Sequence, residues 1–244
     1  MDSVRILKTD ISVTTIEDVS YKLINNKSIS VAVCNANTLV RCYKDNNLNL
    51  ILNKFDIKCP DGFPVSKSSN LLYKNKQKRV DGYKLFVNTV KEGIKNNTSH
   101  YFFGNEEKIT KKLISRLKND FPNINISGYS CPPFLNYEDL NEKKYVQEII
   151  KLKPDIVWVS LGFPKQEQFI SSIQKNYILD SNFVGIGGVF DWVAGTKLKA
   201  PEFIANIGLE WVLRLIQEPK RLFKRYLIDN FLYIIYFIRQ YSNK

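Results

Sequence analysis

The chain has 244 residues with 44% apolar content, which suits one α/β domain with a small appendage and a core that needs no disulfide or metal. Its four cysteines, Cys34, Cys42, Cys59 and Cys131, form no CxxC pair, so neither a zinc knuckle nor a redox motif is suggested and four reduced thiols are expected. A formal charge of +12 points to an acidic partner, and a single histidine, His100, argues against a His-based triad or a His-rich metal site.

In chain order, residues 30–34 (SVAVC) read as a strand and 38–54 as one helix, with Leu39, Val40, Tyr43, Leu48, Ile51 and Leu52 as its apolar positions. Residues 82–94 form an amphipathic helix carrying Leu85, Phe86, Val90 and Ile94. A strand at 100–103 ends at Gly104 and includes His100, which is expected to be structural. A helix at 106–121 is stopped by Pro122. A strand at 124–129, a helix at 137–152 and a buried strand at 155–161 follow. The next helix, 164–175, has Pro164 in its first turn, where a missing N–H costs nothing. The strand at 183–186 runs into Gly187-Gly188. This alternation predicts a parallel sheet flanked by helices, with ligands bound beyond the carboxyl ends of the strands. No apolar run reaches the ~20 residues of a membrane span. No secretory signal is read either, so a cytosolic setting is expected.

Candidate chemistry sits after the strands. In Gly162-Phe163-Pro164-Lys165-Gln166-Glu167, Gln166 offers a donor and acceptors that suit sugar hydroxyls; an ordinary helix entry reads equally well. Gly187-Gly188 lets the main chain approach a ligand, and Asp191 suits a sugar hydroxyl or a helix cap. The pattern is neither GxGxxG nor a Walker loop. Asp61, between Pro60 and Gly62, sits on a rigid turn that suits a general base, although Pro-Asp-Gly is also a common turn. Arg79 fits a phosphate or a structural carboxylate.

From Lys199 the character changes. Arg214, Lys220, Arg221, Lys224 and Arg225 cluster around Pro219, which must interrupt the helix, and the apolar run 231–238 (FLYIIYFI) follows. Basic residues beside an aromatic-rich helix suit an anionic membrane surface, and the same arginines suit a diphosphate. A core-packed helix or a dimer interface fits the same residues. The division expected is a catalytic α/β domain at 1–198 and a helical appendage at 199–244.

Together these pieces resemble the WecG/TagA/CpsF glycosyltransferases. The resemblance runs through Asn35-Ala36, Pro60-Asp61-Gly62, Arg79-Val80-Asp81-Gly82 and Phe103-Gly104. It continues through Gly162 to Glu167, Gly185 to Asp191, Ala194-Gly195 and Ala200-Pro201. It closes with Gly208-Leu209-Glu210-Trp211, Arg214, Glu218-Pro219 and Arg221. The resemblance implies a Rossmann-like fold and a metal-independent, cofactor-free, inverting transfer. The sugar, typically N-acetylmannosamine or its uronic acid, passes from a UDP-sugar to a polyprenyl-diphosphate-linked saccharide at the inner membrane face. The products feed teichoic acid linkage units, enterobacterial common antigen or capsule. It implies Asp61 as base, Gln166 in the active-site pocket, and Arg214, Arg221 and Lys224 or Arg225 at the donor diphosphate; Asn35, Arg79, Gly187, Gly188 and Asp191 are expected at the substrates. The chain differs from many members at Val33-Cys34-Asn35, Lys199-Ala200-Pro201 and Ser130 to Phe134, which bears on sugar choice. The rival class is a basic nucleic-acid-binding α/β protein without catalysis; a non-catalytic scaffold is a second, and self-association is left open.

Overall fold

Strands that are apolar on both faces must lie between two helical layers, and here they do. The computed structural model describes residues 2–140 and 143–243; the side chains of Tyr137, Lys143, Asn206, Arg221, Lys224, Arg225 and Tyr226 lie outside that description. A hairpin of β1 (Ser3–Ile6) and β2 (Thr9–Ser12) precedes α1 (Ile16–Asn25), β3 (Ser30–Cys34), α2 (Ala36–Lys44), α3 (Asn46–Asn53), β4 (Ile57–Pro60) and α4 (Phe63–Tyr73). Next come α5 (Gly82–Gly93), β5 (Ser99–Gly104), α6 (Glu107–Asp120), β6 (Asn125–Ser130), α7 (Tyr137–Leu140) and α8 (Lys143–Leu152). The chain continues with β7 (Ile156–Ser160), α9 (Lys165–Asn176), β8 (Asn182–Gly185) and α10 (Val189–Val193). It ends with α11 (Glu202–Asn206), α12 (Glu210–Gln217) and α13 (Pro219–Ser242).

Strands β3 to β8 form one parallel sheet in the order β4-β3-β8-β7-β5-β6. Alternation along β5 sends Tyr101 and Phe103 to one face and Phe102 to the other, and β7 does the same with Val157 and Val159 against Ile156 and Trp158. Phe103 stacks on Phe169 of α9 at 4.3 Å between ring centroids, while Phe86 of α5 meets Trp158 edge-on at 4.8 Å. His100 is a core residue as expected. It is buried, accepts a hydrogen bond from Trp158 Nε1 at 3.1 Å, and burial lowers its pKa to about 4, so it is neutral.

Two helices depart from their sequence-based expectation. The helix expected at 38–54 is two helices: the Asp45 side chain accepts from the amides of Asn47 and Leu48, ending α2 and capping α3. Pro164 precedes α9 as its N-cap rather than lying in its first turn. Of the helix expected at 137–152, residues 141–142 lie outside the described residues. Pro219 does interrupt the C-terminal helix, beginning α13 directly after α12.

α13 has two faces. Leu222 and Tyr233 are buried, and Tyr233 donates to Ser68 Oγ at 2.8 Å while its neighbour Tyr236 packs on Tyr43 of α2 at 4.4 Å. On the other side Leu227, Phe231, Ile234, Ile238 and Tyr241, at spacings of four and three, are exposed. No helix among the described residues is long and apolar enough to cross a membrane.

Candidate functional site

All six parallel strands deliver residues to one cavity of about 750 Å³ at their carboxyl ends. Asn35 follows β3, Asp61 follows β4 and Asn105 follows β5. Cys131 to Phe134 follow β6, Leu161 to Phe163 and Lys165 follow β7, and Gly187 to Val189, Asp191 and Trp192 follow β8. Lys197, Arg214, Gln217, Glu218 and Leu222 close the far side. The volume is in the range that encloses a nucleotide-sized ligand. Two glycines make the approach of these loops sterically allowed. Gly187 has φ +54, and Gly104 has φ +99 with the Ser160 carbonyl oxygen 2.7 Å from where a Cβ would stand.

Asp61 is held by its neighbours in sequence and by a guanidinium. Its backbone N–H donates to the Cys34 carbonyl at 2.8 Å, which ties the turn to the end of β3. Its Oδ1 accepts from Gly62 N–H at 2.8 Å and from Arg79 Nε at 3.0 Å. Burial pushes the Asp61 carboxyl above its ordinary range, Asp81 and Glu210 push the same way, and Arg79 and Arg214 oppose them. A carboxylate with a raised pKa is a stronger base.

Arg79 is turned away from the cavity and toward carboxylates. Its Nη2 donates to Asp81 Oδ2 at 2.7 Å and to Glu210 Oε2 at 2.5 Å. Burial works against its charge, but Asp61, Asp81 and Glu210 outweigh it and hold the guanidinium firmly protonated. Of the two partners the sequence offered Arg79, its contacts here are carboxylates. Asp81 is pushed up by burial but held below its ordinary range by Arg79 and Lys199, whose Nζ is 3.2 Å from Oδ2.

Gln166 is buried at the edge of the cavity and joins two strand ends. Its Oε1 accepts from Gly162 N–H at 3.2 Å and from Gly187 N–H at 3.0 Å, and its Nε2 donates to Glu167 Oε1 at 2.9 Å. The side chain therefore fixes the spacing of the β7 and β8 loops. The Gln166 backbone N–H, at the entry to α9, donates to the Gly162 carbonyl at 3.0 Å. Asn35 caps α2 by accepting from Thr38 N–H at 3.1 Å and still lines the cavity.

Asp191 is no helix cap. It lies within α10, accepts from Asn105 Nδ2 at 3.3 Å and has Lys197 Nζ 3.3 Å from Oδ1. Lys197 also reaches Glu218 Oε1 at 3.2 Å. Arg214 lies over the Trp192 ring at 4.1 Å and reaches Glu210 Oε1 at 3.3 Å. The backbones of Arg221 and Arg225 lie in α13, and their side chains are outside the described residues.

Seven of the candidates thus line one cavity: Asn35, Asp61, Gln166, Gly187, Gly188, Asp191 and Arg214. Asn105, Trp192, Lys197 and Phe134 also line it and were not singled out from the sequence. Asn105 had a signal, since it directly follows the strand-ending Gly104. Lys165 Nζ sits 3.6 Å from the centre of the exposed Phe134 ring, and burial lowers its pKa. Among the described residues, no three His, Cys, Asp or Glu side chains are grouped so as to hold a metal ion.

Comparison with known proteins points the same way. The family model described as "Glycosyl transferase WecG/TagA/CpsF family" matches residues 4–244. A Bacillus spizizenii protein named N-acetylglucosaminyldiphosphoundecaprenol N-acetyl-beta-D-mannosaminyltransferase is 31% identical over 196 residues, covering 80% of this chain and 74% of its own. A protein of the same name from Bacillus subtilis is 29% identical over 78% of this chain and 72% of its own. One from Staphylococcus aureus is 27% identical over 95% of this chain and 91% of its own. None of these matches supports the nucleic-acid-binding alternative.

Proposed function

The chain belongs to the WecG/TagA/CpsF family of glycosyltransferases, and from that membership we propose that it moves an N-acetylmannosamine-type sugar from a UDP-sugar to a polyprenyl-diphosphate-linked N-acetylglucosamine, with inversion. The observation that carries this reading is that Asp61 and Arg214, from opposite ends of the chain, open on one cavity of nucleotide-sugar size.

In the proposed reaction the acceptor hydroxyl oxygen bonds to the anomeric carbon while its proton passes to Asp61. The bond from the anomeric carbon to the β-phosphate oxygen breaks, and UDP leaves. Charge grows on that diphosphate, and Arg214 stands where it can meet it, joined by Arg221 and Arg225 from α13. Asp191, Asn105 and the Gly187-Gly188 main chain form the donor wall, and Asn35 borders the acceptor side. Gln166 acts by holding that wall in place. Arg79 acts behind Asp61. The exposed apolar side of α13 rests on the inner face of an anionic cell membrane, which brings the cavity to a lipid-linked acceptor. The product class is a teichoic acid linkage unit or related surface polymer.

The test is UDP release from a panel of UDP-sugars with a polyprenyl-diphosphate-N-acetylglucosamine analogue. UDP-N-acetylmannosamine is expected to be the preferred donor; release that does not depend on the acceptor overturns the proposed transfer. Asp61→Asn is expected to lower kcat about 10²–10⁴-fold with UDP binding retained. Turnover near the wild-type rate removes Asp61 as base and makes Asp191 the next candidate.

A further inference from the structure

The ion pairs behind Asp61 join two distant parts of the chain. Three carboxylates, Asp61, Asp81 and Glu210, meet three cations, Arg79, Lys199 and Arg214. Asp61, Arg79 and Asp81 come from the α/β body. Lys199, Glu210 and Arg214 come from the C-terminal segment, and Glu210 lies 131 residues beyond Arg79. Without that segment the body's half of the cluster carries a net negative charge. With it, the cluster is neutral.

The geometry gives Glu210 a specific place. Arg79 is 17% exposed, and three carboxylates fix its planar fork: Nε meets Asp61, and Nη2 meets both Asp81 and Glu210. Glu210 is the partner opposite Asp61 in sequence origin, and its second oxygen faces Arg214. Among the described residues, both hydrogen bonds to the Asp61 carboxylate fall on Oδ1. Oδ2 takes no hydrogen bond among the described residues, and Asp61 lines the cavity.

We propose that Glu210 is a positioning residue for the transfer, holding Arg79 so that its Nε addresses Oδ1 of Asp61 and Oδ2 faces the acceptor hydroxyl. The same short helix, α12, then presents Arg214 to the donor diphosphate and sets the base through Glu210, so the two halves of the site are assembled together. The inference rests on the reading of Asp61 as base.

The groups facing Asp61 fix the direction of the test. They are Arg79 and Asp81 from the loop before α5, Glu210 and Arg214 from α12, and the Cys59 thiol of β4, with Lys199 reaching Asp81. Glu210 and Asp81 raise the Asp61 pKa; Arg79 and Arg214 lower it. Replacing Glu210 by Gln removes one raising charge and frees Arg79 for Asp61, so both changes lower it. Replacing Arg79 by Gln does the opposite.

The experiment compares the full-length wild type with Glu210→Gln, Glu210→Asp and Arg79→Gln. Carboxylate ¹³C NMR titration of Asp61, assigned by the signal lost in Asp61→Asn, needs no substrate. Glu210→Gln is expected to lower the Asp61 midpoint and Arg79→Gln to raise it, and the acid limb of kcat for UDP release is expected to move with each. Kcat of Glu210→Gln is expected to fall about 10- to 100-fold with the donor KM little changed, as for a misplaced reacting group. Glu210→Asp should recover part of it. An Asp61 midpoint that Glu210→Gln leaves unmoved overturns the inference, even if melting temperature falls, because Glu210 is then only a brace. Wild-type turnover by Asp61→Asn overturns the reading of the base instead, whatever the titration shows.

Discussion

The wall made by the strand ends and the segment from Lys199 onward contribute to the same cavity by different physical means. Behind the wall, β3, β7 and β8 are buried almost throughout, and each loop leaves a strand whose backbone cannot shift without breaking the sheet. Asp61 is tied to β3 through the Cys34 carbonyl, and Gln166 ties the β7 and β8 loops. The C-terminal segment is half exposed. Phe203, Ile207 and Ile216 lie open on α11, the turn after it and α12, and α13 is anchored on one side by Tyr233, 2% exposed, while Phe231 is 65% exposed on the other. The wall is fixed by buried strands; the segment carries the basic residues and an exposed apolar stripe.

The comparison breaks first at Arg214. If the segment's contribution is charge aimed at a diphosphate, Arg214→Ala should lower kcat about 10²–10³-fold, the loss seen when one fixed donor of ~2.7–4 kcal/mol is removed. Arg214→Lys should fall between, because an ammonium keeps the charge but not the planar fork that reaches Glu210 and lies over Trp192. Steady-state UDP release checks both. A change of only a few fold in Arg214→Ala would leave the wall alone responsible for the chemistry.

The sequence shows the wall better than the segment for a physical reason. Strands buried on both faces are continuous apolar runs, and 30–34, 100–104 and 156–160 are readable as such. Because ligands in parallel sheets bind beyond the carboxyl ends, the loops holding Gln166 and Asp191 stood out as candidates, while Asp61 was picked out by its Pro-Asp-Gly turn alone. Shorter elements were less legible. β2 (TDIS) and β4 (IKCP) are four residues each and carry polar side chains. Lys58 of β4 is buried because its ammonium donates to the Phe55 carbonyl at 2.6 Å, a contact no hydropathy pattern reports. The helix expected at 38–54 shows the limit of periodicity, since Asp45 interrupts it without breaking the apolar spacing. At the site, Gln166 looked like a sugar contact because its amide suits hydroxyls equally well, and only the fold shows that Gly162 and Gly187 occupy its acceptor. Arg79 had two partners open to it in sequence; one of the three carboxylates it meets lies far along the chain.

Gln166 sharpens the comparison from the wall's side. Gln166→Ala leaves the half-buried Gly162 and Gly187 amides without their acceptor at the edge of the cavity, where each unmet group costs toward the low end of about 1–3 kcal/mol. At the low end, about 1 kcal/mol each, that is roughly a 4–8 °C loss in Tm for a chain of this size. Thermal unfolding of the full chain checks it. An unchanged Tm with a raised donor KM would instead make Gln166 chiefly a ligand contact.

The smallest expected effect lies on the outer face of α13. Phe231→Asp with Ile234→Asp replaces two exposed apolar side chains in the stripe from Leu227 to Tyr241 and leaves the buried Tyr233 face alone. Neither position packs in the core, so stability should stay within about 0.5 kcal/mol. If that face rests on a membrane, affinity for vesicles containing anionic lipid should fall about tenfold, corresponding to roughly 1.4 kcal/mol of lost interfacial burial. Turnover with a short-chain acceptor in solution should hardly change, while turnover with acceptor embedded in vesicles falls. Vesicle sedimentation and the paired assays separate the two. If the double variant binds vesicles like the wild type, the exposed stripe has another use, and the segment's part in the reaction reduces to Arg214 and Glu210.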